Sequence, residues 1–441
     1  MNNRIVRHLL ELVDQGHRIC TDSRQANSGQ IFFALRGERF DGNRYAEQAI
    51  KAGCSLAVID NPVYDRGEKY VLVDDALATL QHLGRLRRQR MDIPHIGITG
   101  SNGKTTTKEL LQAVLSSRFN SAATPGNLNN HIGVPVSLLS FPAEADCAIV
   151  EMGANHPGEI ADLCRIAMPT HGLVTNIGEA HLEGFGSVEK VAKAKNELYA
   201  YLGKTNGTLF VNHDDSRLKQ LTRNMQTIHY GKDQGNHCSG EIICSSPALH
   251  IGFRVNKNFG AAKQGYQGEV RSRLTGAYNL ENILAGITVG LYFGVEPEQA
   301  IRAIENYTPE NHRSQIIQTN RNTVLMDAYN ANPSSMEAAL QNLSLFNDQP
   351  GAVFLGDMLE LGSASTEAHR TVMDRVKQLR IPLQVFVGKH FASVRGAGNE
   401  ALVFEHVDDA AEWLRQNPVR GYTVLVKGSR GIRMEKLLEY L

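Results

Sequence analysis

The sequence lacks most of the features that would place a chain outside a reducing, aqueous compartment. Its six cysteines, Cys20, Cys54, Cys147, Cys164, Cys238 and Cys244, form no Cys-x-x-Cys pair and nothing resembling a secreted disulfide framework. No stretch approaches the ~18 uninterrupted apolar residues of a membrane span. Met1 to Gln15 is amphipathic with charges throughout, unlike a signal peptide. Neither sign of charge is in excess. The 46 basic residues meet 46 acidic ones, which argues against a nucleic-acid partner held mainly by electrostatics. These absences predict a cytoplasmic chain with no nucleic-acid partner and no stable membrane insertion, and a monomer is expected. The 441 residues leave room for about three domains of roughly 150 residues each.

What the sequence does contain is concentrated in Gly97 to Thr107, Gly-Ile-Thr-Gly-Ser-Asn-Gly-Lys-Thr-Thr-Thr. An apolar run at Ile96-Gly97-Ile98 reads as a buried strand. Leu110, Leu111, Val114 and Leu115 follow at helical spacing. Strand, glycine-rich turn and helix form the context of a phosphate-binding loop. Backbone N–H groups close around phosphate oxygens there, and the helix N-terminus adds partial positive charge. Gly100, Ser101, Asn102, Gly103, Lys104, Thr105 and Thr106 are the nucleotide-binding candidates, with Lys104 on the β/γ-phosphates and the Thr105 hydroxyl on Mg2+. The strict pattern GxxxxGK[ST] requires glycine where Ile98 stands. A solvated Gly-Lys-Thr turn is the bland alternative.

In chain order, residues 1–92 read as a small α/β domain with strands at Gln30–Leu35 and Ser55–Ile59 and a helix at Tyr45–Ala52 stopped by Gly53. Polar loops at Thr21-Asp22-Ser23-Arg24 and Arg36–Gly42 flank these strands, as ligand cradles or as ordinary turns. Leu77–Met91 reads as a basic, solvated connector helix. Residues 93–310 form a central domain on a parallel sheet, and residues 311–441 a C-terminal domain of the Rossmann-like, doubly wound type with a basic hinge at Asn311–Gln315. Its strands at Thr323–Met326, Val353–Leu355, Val385–Val387 and Val424–Val426 each lead into a polar loop. A GxGxxG fingerprint is absent there, so a hydride-transfer cofactor is not expected.

Parallel sheets bind ligands beyond the carboxyl ends of their strands. Lys104, Thr105, Glu151 and His181 all follow such ends and should face one crevice. A glutamate, an imidazole and a hydroxyl suit magnesium with substrate oxygens and water completing the shell. On the helix Val188–Tyr201, Lys195 falls within the apolar stripe of Val188, Val191, Ala192, Leu198 and Tyr199, while Glu189, Lys190, Lys193 and Glu197 point away. Lys195 either snorkels to water or a carboxylate, or is buried as a neutral amine that adds carbon dioxide and, as a carbamate, ligates a second magnesium. Tyr278, Asn279 and Asn282 open an apolar helix and face an adenine ring, unless Asn279 serves as its cap. Asn212-His213-Asp214-Asp215 reads as a site loop or a turn, and 232–270 carries little pattern.

Together these motifs resemble the Mur ligase family, ATP-dependent amide-forming enzymes of peptidoglycan precursor synthesis, over nearly the whole chain. The family's Gly-x-x-Gly-Lys-Thr loop matches Gly100–Thr105, its magnesium glutamate Glu151, its metal-binding histidine His181 and its carbamylated lysine Lys195. Asp327–Pro333, Leu355–Gly362 and Lys427–Gly431 resemble the members that add D-alanyl-D-alanine to UDP-N-acetylmuramoyl-tripeptide. The Asp-Asn-Pro-Arg signature of the diaminopimelate-adding relative is absent. The resemblance implies three α/β domains, ATP and Mg2+ as cofactors, and Lys104, Glu151, His181 and Lys195 as catalytic residues. Metal ligation falls to Thr105, Glu151, His181 and Lys195. ATP contacts extend to Asn279, Asn282, Arg313 and Asp327, and substrate contacts to Ser23, Asn127, Asn130, Tyr329 and Asn330. Two departures stand out: Tyr278 replaces the family histidine, and Ala328 replaces an aspartate before Tyr329. The alternatives are a sister ligase for another amino acid or for folylpolyglutamate, a P-loop switch, or a nucleotide-binding partner subunit. A GTPase switch requires Asn-Lys-x-Asp, and Asn256-Lys257-Asn258-Phe259 lacks the aspartate.

Overall fold

The computed structural model describes residues 3–38, 40–179, 181–222, 225–309, 313–396 and 401–441, without the side chains of Asn3 and Leu182. Arg39 of the Arg36–Gly42 loop, the 310/311 domain boundary, and Asn311 and His312 of the expected hinge lie outside the described residues. Three principal sheets organise the chain. The first is four-stranded and parallel, in the order Ile19–Cys20, Ile31–Phe33, Leu56–Ile59, Tyr70–Leu72. Its middle strands are short runs of buried apolar residues, as a sheet covered on both faces requires.

The central sheet has nine strands. From one edge they run Gln267–Arg271, His250–Val255, Cys238–Cys244, Thr227–Gly231, Thr208–Asn212, His171–Val174, His95–Thr99, Cys147–Glu151 and Ser121–Ala123. The Gln267–Arg271 and His250–Val255 strands pair antiparallel and extend an otherwise parallel sheet. That extension occupies the pattern-poor stretch of the sequence. Its alternating polar face, as in the buried, exposed, buried course of Phe253-Arg254-Val255, is the signature of a sheet wet on one side.

The third sheet runs Gln315–Gln318, Thr323–Asp327, Thr423–Lys427, Gly351–Gly356, Leu383–Val387, Leu402–Phe404, parallel except at its first strand. The two edge strands of this sheet add to the four that the sequence predicts.

The connector helix departs from expectation. Ala76–Gln89 is not a solvated link: it packs against the helices Gly133–Ser140 and Glu159–Ala167, with Leu80, Leu83, Gly84, Arg87 and Arg88 buried. Its arginines can be buried because each finds acceptors. Arg88 donates to the carbonyls of Ala167 (3.0 Å), Met168 (2.9 Å) and Met91 (2.8 Å), and Arg87 to Asp14 (2.7 Å) and the Phe141 carbonyl (3.1 Å). Glu197 also departs, since its carboxylate accepts from the N–H groups of Gly158 (2.7 Å) and Ala161 (2.9 Å) at the start of a neighbouring helix. All six cysteines are free thiols. Among the described residues no helix is long and apolar enough to cross a membrane.

Candidate active site

The phosphate loop leaves the wholly buried strand His95–Thr99 and enters the helix Lys104–Ser116. Two of its positions require glycine. Gly100 has φ +146° and a Cβ there would collide with the Thr175 hydroxyl. Gly103 has φ +79° and its Cβ would lie 2.7 Å from Asn282 Oδ1. The adjacent strand end holds the loop in shape. The Ser101 and Asn102 N–H groups donate to the Asn176 carbonyl and Oδ1 (3.0 Å each), and the Thr175 hydroxyl donates to the Asn102 carbonyl (2.6 Å). Lys104 folds back so that its Nζ donates to the carbonyls of Gly100 (2.7 Å) and Ser101 (3.0 Å). Burial lowers its pKa to about 8, opposed by Glu151 and assisted by Arg313.

Glu151, at the end of the Cys147–Glu151 strand, is 1% exposed. The Thr105 hydroxyl donates to its carboxylate at 3.0 Å, Asn129 Nδ2 donates at 2.8 Å, and Lys108 Nζ lies 3.6 Å away. Lys108 sits one helical turn beyond Lys104, so its placement on the same face was legible from the i, i+4 spacing alone.

His181 follows a strand of the central sheet and Glu360 a strand of the C-terminal sheet, yet they meet, with His181 Nδ1 2.5 Å from Glu360 Oε2. That contact lowers the pKa of the half-buried Glu360. Both residues, and Ser314 nearby in the cavity wall, have left-handed backbones (φ +53°, +64° and +48°). Strain of this kind in non-glycine residues gathers at functional sites.

Lys195 is 1% exposed and makes no ion pair with a carboxylate among the described residues. Its Nζ donates to the Ala154 carbonyl at 3.4 Å and lies 5.4 Å from the centre of the Phe185 ring. Burial, with repulsion from Lys104, lowers its pKa to about 7. A lysine in this state supplies the neutral amine that carbamate formation requires.

One cavity of about 1010 Å³ gathers most of the predicted residues. Ser101, Asn102, Gly103, Lys104, Thr105, Thr106, Asn127, Asn130, Glu151, His181, Asn279, Asn282, Arg313, Asp327, Tyr329 and Asn330 all line it. Gly100 lies beneath the loop and Lys195 behind the Ala154 wall. Ser23 is apart, in the turn Ser23–Gln25 capped by Asp22, whose carboxylate Arg24 grips at 2.9 and 2.7 Å. Thr105 and Glu151 are hydrogen-bonded, and among the described residues no hydrogen bond or ion pair joins either of them to His181 or Lys195. No preformed cluster of three or more His, Cys, Asp or Glu ligands occurs among the described residues.

On the C-terminal wall, Asp327 Oδ2 accepts from the buried Lys427 (2.6 Å), and the Arg313 guanidinium stacks 3.5 Å from the centre of the Tyr329 ring. Asn279 does not cap its helix. Its Nδ2 donates to the Thr275 carbonyl (2.7 Å) and its Oδ1 accepts from Asn282 Nδ2 (2.8 Å), while Asn282 Oδ1 accepts from the Thr107 hydroxyl (3.0 Å). Tyr278 bridges to Ser314 through hydroxyls 2.9 Å apart. Two side-chain bonds close the cavity at its phosphate end: Asn102 Nδ2 to Ser334 Oγ (3.0 Å) and Asn332 Nδ2 to Asn102 Oδ1 (2.8 Å). Lys108, Asn129 and Ser334 are members of this site that sequence reasoning did not single out, while Asn332, Glu360 and Lys427 fall in its motif stretches without having been given a contact. Of the central domain's other histidines, His131 lines the cavity, His156 faces Glu159 (3.1 Å) and His213 stacks on His229.

A glycine-shaped phosphate loop on a parallel sheet, closed over by a second doubly wound domain, defines a nucleotide-binding α/β protein that works between domains. Family models match in three consecutive parts: the Mur ligase family, catalytic domain over residues 15–85, the Mur ligase middle domain over 98–290, and the Mur ligase, glutamate ligase domain over 312–430. The chain belongs to the Mur ligase family. It is 33% identical over 436 residues to the UDP-N-acetylmuramoyl-tripeptide–D-alanyl-D-alanine ligase of Bacillus subtilis, covering 96% of this chain and 93% of that one. The Escherichia coli enzyme of the same name matches with the same identity and coverage. Among solved structures, MurF from Acinetobacter baumannii superimposes with a TM-score of 0.85 at 30% identity, covering 98% of this chain and 97% of the other. MurF from Thermotoga maritima in complex with ADP gives 0.82 at 26%, covering 97% of each.

Proposed function

We propose that this chain is an ATP-dependent amide ligase that joins D-alanyl-D-alanine to UDP-N-acetylmuramoyl-tripeptide in peptidoglycan precursor synthesis, through an acyl phosphate. The observation that carries the reading is the single cavity between the phosphate loop with Glu151 and the Arg313, Asp327 and Lys427 wall. The full-length likeness to relatives bearing that name supports it.

A carboxylate cannot expel oxide, so the tripeptide carboxylate must first be activated. Its oxygen attacks the γ-phosphorus of ATP and the bond to the β-bridging oxygen breaks, releasing ADP. Two anions approach in this step, and the ammonium of Lys104, held by loop carbonyls, offsets their repulsion. The paired oxygens of Thr105 and Glu151, buried beside the phosphate loop, are hard donors that fit magnesium. Those two residues would hold it, with His181 and a carbamylated Lys195 for a second ion. Bound magnesium supplies charge neutralisation to the phosphoryl oxygens. The dipeptide amine then forms a C–N bond to the acyl carbon, and phosphate leaves as the amine loses its proton. Arg313 and Tyr329, stacked on one another, would bring the C-terminal wall over the site and exclude water. Ser23, Asn127, Asn130 and Asn330 are the proposed substrate contacts.

Phosphate release from ATP should require both UDP-N-acetylmuramoyl-tripeptide and D-alanyl-D-alanine. Release that is unaffected by omitting the dipeptide would remove this assignment.

A further inference from the structure

Lys108 belongs to the phosphate-loop helix Lys104–Ser116 but is not among the residues that line the cavity. It is buried, and its Nζ donates to the Gly126 carbonyl at 2.6 Å while lying 3.6 Å from Glu151 Oε2. An ammonium can be enclosed there because the carboxylate offsets its charge and the carbonyl takes one of its three donors.

The carbonyl belongs to the amide-rich loop 124–131. Pro125, Gly126, Asn127 and Leu128 are exposed, so polar straps rather than packing must hold this stretch. Asn129 supplies one strap. Its Nδ2 donates to Glu151 (2.8 Å), its carbonyl accepts from the Gly153 N–H (2.7 Å), and a Cβ on Gly153 would lie 2.9 Å from its Oδ1. Gln81, from the helix Ala76–Gln89, donates to the His131 carbonyl at 3.1 Å. Lys108 is the strap at the other end, and it ties the loop to the helix that begins at the phosphate loop. Asn127 and Asn130 line the cavity from this loop. Among the described residues no hydrogen bond engages the Asn127 side chain. Asn130 spends its Oδ1 on the N–H groups of Ile132 (3.1 Å) and Gly133 (2.8 Å). Both amides therefore keep N–H donors for the oxygens of a ligand.

We propose that Lys108 is a positioning residue for the acceptor substrate. It fixes the loop so that Asn127 and Asn130 meet UDP-N-acetylmuramoyl-tripeptide at a set distance from Glu151. This rests on reading those two asparagines as substrate contacts. Lys108 itself touches neither substrate and acts through the Gly126 carbonyl. Misplacing such contacts by about 1 Å is enough to spoil them.

The test compares the full chain with its Lys108→Met and Lys108→Arg variants, each checked for folding by thermal melting. Methionine matches the length of lysine without a donor, whereas arginine keeps both a donor and the charge beside Glu151. In Lys108→Met, amide exchange over 124–131 should quicken about tenfold or more, with the helix Lys104–Ser116 within about twofold of wild type. Calorimetric affinity for UDP-N-acetylmuramoyl-tripeptide should weaken about tenfold or more, while that for ATP stays within about threefold. The KM for the tripeptide nucleotide should rise in step, and kcat at saturation should fall less than about threefold. Lys108→Arg should restore loop exchange and tripeptide affinity to within about threefold of wild type. Equal losses for ATP and the tripeptide nucleotide in Lys108→Met overturn the proposal. So does loop exchange equal to wild type, which refutes the strap. Faster loop exchange with unchanged tripeptide affinity overturns it differently, by refuting Asn127 and Asn130 as substrate contacts.

Discussion

Two buried ionisable side chains carry consequences that can be measured one residue at a time. Lys195 is enclosed without a carboxylate ion-pair partner among the described residues, and its lowered pKa leaves a substantial neutral fraction near pH 7. Lys195→Ala should lose activity by roughly 10- to 100-fold, as removing a ligand-bearing group does. Formate or bicarbonate should restore part of it by returning a small oxyanion to the vacated space; steady-state rates with and without the additive decide the matter. Glu281 carries the opposite kind of shift, from 4.5 up to about 7. The folded chain then binds more protons than the unfolded one between those two values. Its contribution is fully present below about 4.5 and is lost as pH rises toward about 7. The stability of the wild-type chain relative to Glu281→Gln should therefore fall across that interval, by about 3 kcal/mol, and level off above it. Denaturation midpoints at a series of pH values give the curve.

Among the elements, the helix Ala76–Gln89 shows how a charged sequence can be buried structure. Its arginines serve as struts, with Arg88 holding the carbonyls of Met91, Ala167 and Met168. Arg88→Met keeps the apolar stem and strands those acceptors, so it should cost about 2–4 kcal/mol. The nucleotide affinity should stay unchanged, since Arg88 lies away from the cavity. Urea unfolding paired with ATP titration checks both halves of this expectation. The same helix marks where the sequence was hard to read. Strands such as His95–Thr99 and Thr423–Lys427 were legible because they are wholly buried, so an apolar run ends abruptly at a polar loop. The basic helix was misleading because carbonyl acceptors supplied by distant segments cannot be seen in a local pattern. The Cys238–Arg271 extension and the edge strands Gln315–Gln318 and Leu402–Phe404 are half-wet, which leaves little contrast to detect. In the cavity, residues at strand ends were legible from topology. The contacts of Asn332, Ser334 and Glu360 were not, because they form only where a neighbouring domain meets them.

At the scale of the whole molecule, the cavity exists because the central and C-terminal domains meet around it. The Asn102 bridge to Asn332 and Ser334 fastens them at the phosphate end, and Glu183 N–H donates to the Glu360 carbonyl at 3.1 Å. Tyr278 to Ser314 adds a third link. In the proposed reaction these links would shield the acyl phosphate, which is prone to attack by water, while the amine arrives. They also set a trade-off between speed and thrift. In the proposed reaction ADP and the lengthened peptide would leave once the Asn102 bridge parts, so a slacker latch would let them out sooner. The same slackness would let water in ahead of the dipeptide. Asn332→Ala should therefore hydrolyse more ATP per amide bond made, and the ratio of phosphate released to product formed should rise from near one to about two or more.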